Sequence, residues 1–207
     1  MKKTAKKTSR RTGVSRRRSA RPRPPAESAL LAFAAFAERE HLRWYLFGAQ
    51  AVAVYGVQRT TADIDITIEL TGRTFEDIQP ALARAGFAPR FADAAFAIAT
   101  HVFPIVHEAS AMPLDLVVAG PGLEQVFLDA VQVHSVARRS IPVLSPEHLV
   151  VTKVLAQRPK DLEDVRGLVR AAKIDHAVVD ELLAQLEEAL GQSDLRPLYA
   201  RLRRETR

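Results

Sequence analysis

The residues of this chain best suited to chemistry are two aspartates, Asp63 and Asp65, set one residue apart in the apolar run ADIDITIEL. In a β-strand, residues i and i+2 share a face. Both carboxylates therefore point the same way, about 6–7 Å apart at the usual rise per residue. Two like charges at that distance repel by roughly 2–3 kcal/mol at an effective dielectric near 20, a cost with no return in stability. A divalent cation held between them turns the repulsion into a binding site. Oxygen-only ligands select Mg²⁺ or Mn²⁺, ions that usually also hold substrate phosphates.

Just upstream, Tyr45-Leu46-Phe47 reads as a short strand, Gly48-Ala49-Gln50 as a turn, and Ala51 to Tyr55 as a short helix closed by Gly56. Strand, glycine turn and helix N-terminus together bind phosphate, because free backbone N–H groups and the positive dipole end face the anion. Gly48, Ala49 and Gln50 are thus candidate phosphate contacts, with Arg59 a further cation on the way into the acidic strand. Downstream, Asp115 lies inside the apolar run MPLDLVVAG. A buried lone carboxylate is costly and asks for a partner; the alternatives are an exposed strand position or a pairing with arginine. Lys153, on the helix HLVVTKVLAQR, reads equally well as a phosphate ligand or as a surface lysine with its stem packed on apolar neighbours. Asp161, Glu163 and Asp164 read as an acidic first turn favoured by the helix dipole. His101 and His107 match no standard metal-ligand spacing, and His134 reads as structural.

Gly48-Ala49, thirteen residues, then Asp63-x-Asp65 resembles the signature of the DNA polymerase-β-like nucleotidyltransferase superfamily. That signature is glycine followed by glycine or serine, a spacer of this size, and two carboxylates one residue apart. Here Ala49 keeps the backbone N–H of the second position and lacks the hydroxyl. More narrowly, GAQAVAVYG…RTTADIDI resembles the minimal nucleotidyltransferases related to AbiEii toxins of abortive-infection and toxin–antitoxin systems. The run LVVTKVLAQRPKDLEDVRGLV is similar to that family's C-terminal signature, a lysine helix followed by Arg-x-Lys-Asp-x-x-Asp. The resemblance implies transfer of a nucleoside monophosphate from an NTP such as ATP to an acceptor hydroxyl. It implies two Mg²⁺ ions on Asp63 and Asp65, with Asp115 as a third carboxylate on a neighbouring strand and as a proton acceptor. By the same resemblance Lys153 reaches the nucleotide phosphates, and Asp161 and Asp164 position basic groups or cap a helix. Acceptors open on this reading are a tRNA end, a protein hydroxyl, or a small molecule such as an aminoglycoside; an antitoxin is an implied partner. The rival reading is an inactive nucleotidyltransferase-fold module that binds nucleic acid; a third is a structural protein whose basic arm coats ribosome or DNA.

The elements that position these residues give an α/β (α+β) fold: a small mixed sheet with flanking helices, followed by C-terminal helices. Residues 1–25 form a basic tail, 26–144 the core and 145–207 a helical C-terminal region packed on it. The chain has 207 residues, 47% of them apolar and none of them cysteine. The apolar share suffices for a core, and the missing thiols exclude disulfides and fit a reducing cytoplasm. No apolar run is long enough to span a bilayer, and no apolar signal core follows the basic start. The net charge of +6 is unevenly placed: residues 1–24 carry eleven Lys and Arg and no acid, so the remainder is mildly acidic. Such a tail, with Arg16-Arg17-Arg18 at its centre, is expected to be disordered and suited to RNA through counterion release. Further expectations are a helix over Glu27 to His41 with Ser28 as cap, a helix over Thr74 to Ala85 capped by Thr74, and either helix or strand from Phe91 to Thr100. An edge strand is expected at HVFPIVH because of Pro104, a helix over Pro121 to Val131, and a strand pair over Gln132 to Leu144. Ser145 should cap the Lys153 helix. Amphipathic packing helices follow over Asp175 to Leu190 and Ser193 to Arg204.

Overall fold

The structure is a computed structural model and describes residues 23–90 and 99–206. The tail arginines Arg16, Arg17 and Arg18, and residues 91–98, lie outside the described residues. In chain order the elements are α1 (Pro25–Arg39), β1 (Arg43–Phe47), α2 (Gly48–Val54), β2 (Ile64–Glu69), α3 (Phe75–Arg84), β3 (Phe87–Pro89), β4 (Val102–His107), β5 (Met112–Val118), α4 (Leu123–Asp129), β6 (Val131–Val136), β7 (Arg139–Leu144), α5 (Pro146–Ala156), α6 (Pro159–Ala171), α7 (His176–Leu190) and α8 (Leu195–Glu205). The seven strands form one mixed sheet in the order β3-β4-β5-β2-β1-β7-β6. β2–β5 and β1–β7 are parallel pairs, and the other neighbours run antiparallel. This is the mixed α/β architecture with C-terminal helices that the sequence implies.

β2 is the central strand of the seven, flanked by β1 and β5, and its alternation decides which residues meet the core. Ile64, Ile66 and Ile68 are fully buried and stand beside Leu114, Leu116 and Val118 of β5. On that side α1 lays Phe33 edge-on against Trp44 of β1 at 5.3 Å and against Phe87 of β3 at 6.0 Å. The intervening residues of β2 face the other way, which is how Asp65 escapes the apolar layer. Asp65 is registered with Asp115 on one side and Phe47 on the other.

Local chemistry explains most helix ends. Thr74 forms a reciprocal capping box with Asp77, and α3 runs on through Pro80. Ser145 accepts from the His148 N–H, with Pro146 at the first helical position. α1 begins earlier than expected: Pro24 is its N-cap and Pro25 its first residue, so Ser28 lies within the first turn and donates its N–H to the Pro24 carbonyl. A proline at the first helical position loses no hydrogen bond there, which outcompetes the serine. α2 likewise begins at Gly48 rather than Ala51. β4 is not an edge strand, since it pairs with both β3 and β5. Pro104 is tolerated because its carbonyl side faces Arg90, just past the end of the three-residue β3, where no strand N–H contact is demanded of it.

Removing the aromatic contact between α1 and the sheet should be costly. Phe33→Ala is expected to lower stability by about 3–5 kcal/mol, read as a lower urea midpoint with an unchanged m-value; a change under ~1 kcal/mol would show that Phe33 does not anchor α1.

Candidate active site

Asp63, Asp65 and Asp115 line one cleft of about 350 Å³ together with Phe47, Gly48, Ala49, Arg59 and Lys153, within the size range of small-ligand sites. Two carboxylates come from directly registered positions of the parallel pair β2–β5, and the third from the residue preceding β2. The like charges are felt. Burial, then the Asp63 and Asp115 charges, push the Asp65 carboxyl up to about 6, against the partial relief of Lys153 and an N–H from Ala49. Burial likewise raises Asp115, opposed by Arg90 and reinforced by Asp63.

Gly48 has a role that the sequence pattern does not express. Its φ is +66°, and a Cβ at this position would stand 1.8 Å from Asp65 Oδ2. The absent side chain is therefore the seat of the Asp65 carboxylate, and the Ala49 N–H that follows holds that carboxylate rather than standing free. Gln50 is not in this cleft; it lines a separate, largely apolar hollow with Leu30, Leu46 and Val136, because one further residue of helix turns it away.

The opposite wall is basic. Lys153 Nζ lies 2.9 Å from Asp161 Oδ1 and 3.0 Å from Asp164 Oδ2. Arg158 also pairs with Asp161, and Arg59 Nε lies 3.0 Å from Asp164 Oδ1. The Asp164 contacts are ion pairs at close range whose angles fall short of hydrogen bonds. Asp161 and Asp164 are essentially inaccessible, so they are braces inside the fold rather than a solvated acidic turn. Burial alone would raise Asp161, yet hydrogen bonds from Arg158 and Lys153 hold it below the ordinary carboxylate range. Arg158 is raised by the Asp161 hydrogen bond, and Asp65 adds to the effect, so the basic wall lies within electrostatic reach of the acidic one. Lys160 also lines the cleft. Arg158 and Lys160 were legible only as part of a motif, and Arg59 reaches the wall through a helix brace that no local pattern announces.

A hard, oxygen-preferring cation suits this donor set. Among the described residues, no three acidic or histidine side chains are drawn together into a ready cage. Asp63 accepts from the Thr61 hydroxyl at 2.6 Å, and Asp115 pairs with Arg90 at 3.4 Å. The three carboxylates still share one face and one cleft, and each of the other two raises Asp65. His101 and His107 do not enter the cleft; His107 bonds Ser110 at 2.7 Å.

Several solved structures share the fold. The solution structure of the antibiotic-resistance factor ANT(2'')-Ia matches with a TM-score of 0.58 at 16% identity, over 80% of this chain and 93% of that one. An antigenic nucleotidyltransferase-like protein from Paracoccidioides brasiliensis gives 0.56 at 16%, over 84% and 91%. The lincosamide antibiotic adenylyltransferase LnuA, bound to lincomycin, gives 0.50 at 17%, over 69% and 95%. No protein-family profile and no curated protein matches the sequence. The chain therefore shares the fold of these nucleotidyltransferase structures, and the polymerase-β-like and AbiEii resemblances rest on its sequence motifs. No described helix is long and apolar enough to cross a membrane.

The strained charge of Asp65 makes a stability prediction. Its carboxyl is raised from 3.8 to about 6, so the folded state favours the protonated form. The contribution is fully present below about pH 4 and is lost as pH rises through 6, leaving roughly 3 kcal/mol of destabilisation at pH 8. Asp65→Asn keeps the shape and removes the charge. It should stabilise the protein by roughly 1–3 kcal/mol at pH 8 and leave it unchanged at pH 4. Denaturation at the two pH values checks this; equal stability at pH 8 would mean that burial and the neighbouring carboxylates do not oppose the Asp65 charge.

Proposed function

We propose that this protein is a divalent-metal-dependent nucleotidyltransferase, moving a nucleoside monophosphate from an NTP to an acceptor hydroxyl. The observation that carries the reading is one cleft with Asp63, Asp65 and Asp115 on one wall and Lys153, Arg158 and Arg59 on the other. A triphosphate bridging a metal has both requirements: oxygen ligands for the cation and fixed positive charge for the anion. The shared fold of the adenylyltransferase structures supports the same reaction class.

Asp63 and Asp65 would hold Mg²⁺ or Mn²⁺, and Asp115 would complete the set. Bound there, such ions would supply positive charge to offset that of the reacting phosphates. Lys153 and Arg158, braced by Asp161, hold the triphosphate against the basic wall, with Gly48 and Ala49 forming the floor beneath it. The acceptor oxygen attacks the α-phosphorus, the bond to the β-bridging oxygen breaks, and pyrophosphate leaves. The hydroxyl proton goes to Asp115.

For the acceptor, the solved structures favour a small hydroxylated molecule. One of them is ANT(2'')-Ia in complex with adenylyl-2''-tobramycin, and another is bound to lincomycin. The sequence motifs favour a tRNA end or a protein hydroxyl in a toxin–antitoxin setting, with the basic tail assisting RNA contact and an antitoxin as partner. Each class is directly assayable. Protein incubated with each α-labelled NTP and Mg²⁺ should pass label to one of tobramycin, lincomycin, total RNA or protein, and chelation should stop it. Asp63→Ala/Asp65→Ala and Asp115→Asn should each lower turnover by at least 10³-fold, with Asp115→Asn retaining NTP binding. Undiminished turnover in either variant would remove those residues from the mechanism. No transfer to any acceptor, together with no rise in melting temperature from Mg²⁺ and NTP, would favour the non-catalytic binding module.

A further inference from the structure

One cation meets the cleft only through Asp115 and belongs to neither the basic wall nor the sequence motifs. Arg90 follows the last residue of β3, and its N–H donates to the Pro104 carbonyl at 2.9 Å. Pro104 is registered with Asp115, and Asp115 with Asp65. Arg90, Pro104, Asp115 and Asp65 therefore form one row across four adjacent strands. Neighbours in such a row project from the same face of the sheet. Arg90 stands two strands, close to 10 Å, from Asp115, a span that an extended arginine side chain covers. The residue it must pass over is a proline, short and without a competing polar group. Its Nη1 reaches Asp115 Oδ1 at 3.4 Å, and both side chains remain about one-third exposed.

We propose, resting on the metal-binding reading above, that Arg90 is a tethered counter-cation for Asp115. It holds the third carboxylate aside from Asp63 and Asp65 while no metal is bound, and yields it when a divalent ion binds. The geometry suits a contact that has to be given up. A pair at 3.4 Å with a third of each side chain in solvent is weak, whereas the Lys153 pair to buried Asp161 is closer and shielded. It also accounts for the open arrangement of the three carboxylates: the negative charge of Asp115 is already partnered by a residue of the chain. Arg90 is thus a positioning residue that sets metal affinity, not a ligand or a phosphate contact.

The test is Mn²⁺ affinity, measured on the full-length, EDTA-stripped protein by electron paramagnetic resonance with Mn²⁺ alone. Arg90→Met keeps the stem that crosses Pro104 and removes the charge; Arg90→Lys keeps the charge. Arg90→Met should bind Mn²⁺ roughly three- to tenfold more tightly than wild type, as expected for deleting one charge near a partly solvated cation site. It should also melt lower than wild type in EDTA and gain more from added Mn²⁺. Arg90→Lys should behave like wild type in both measurements. A merely structural arginine predicts lower melting with unchanged or weaker Mn²⁺ binding, and that result overturns the proposal. The Asp63→Asn/Asp65→Asn variant separates the two levels. If it binds Mn²⁺ as wild type does, or wild type binds none, the metal reading fails and the Arg90 proposal with it. If binding is lost there but Arg90→Met does not tighten it, only the Arg90 proposal fails.

Discussion

The cleft depends on keeping a carboxylate at Asp65, where its surroundings oppose the charge. Burial and two neighbouring aspartates push its protonation up to about 6, and little in the immediate shell compensates. What compensation exists is structural. Gly48 leaves an opening that the carboxylate fills, the Ala49 N–H points into it, and Lys153 supplies charge from the far wall. A stability-driven sequence would place valine or threonine at this position of an internal strand. The cost is instead accepted at one point and made good by the large apolar layer on the reverse of the same strand, where Ile64, Ile66 and Ile68 are fully buried. Period-two alternation in β2 thus separates the residues that hold the fold from those that strain it.

The basic wall solves the opposite problem. Long cationic side chains lose up to about 2 kcal/mol of rotamer freedom each when fixed, so a cleft lined by free lysines and arginines would meet an anion with its cations unordered. Here Asp161 and Asp164 fix Lys153, Arg158 and Arg59 in advance. Three cations on two buried carboxylates leave an excess positive charge directed at the cleft, and Lys160 adds to it. Removing Asp164 would leave the partly buried Arg59 without this partner, and removing Asp161 would leave buried Lys153 with Asp164 alone, each costlier than never having had the pair. The braces and the cations therefore act as one unit, carried by two consecutive helices and, for Arg59, by the segment that leads into β2.

Much of this was legible along the chain because it is local. The i, i+2 aspartates, the strand–glycine–helix turn, the proline start of α5 and the capping box of α3 are all decided within a few residues. Asp115 was legible by a different route, as a charge in an apolar run that had to find a partner. Its alternatives, a place among the other carboxylates and a pairing with arginine, both occur: it is registered with Asp65 and ion-paired with Arg90. What stayed hidden is what tertiary distance creates. Asp164 forms an ion pair with a residue more than a hundred positions earlier, Gly48 answers to Asp65, and Arg90 acts across two strand spacings. Gln50 was misplaced because a turn and the first turn of a helix look alike in sequence. Ser28 was misread because proline at a helix start competes with a serine cap.

Ala49 can now be weighed on geometry rather than on its departure from a motif. The superfamily pattern that the sequence resembles has glycine or serine here, and the absent hydroxyl removes one possible donor to a phosphate. Yet the backbone N–H at this position serves Asp65, so the seat of the acidic wall does not depend on the side chain. A serine would add a donor on the floor of the cleft; alanine leaves that work to Lys153, Arg158, Lys160 and Arg59. On the proposed reading the substitution therefore bears on how firmly the triphosphate is gripped, not on whether the cation site can form. A decayed site would be expected to lose Asp65 first, since its buried charge is opposed by its surroundings. Asp63, Asp65 and Asp115 are all present, with the glycine that seats one of them and the buried braces that arm the opposite wall.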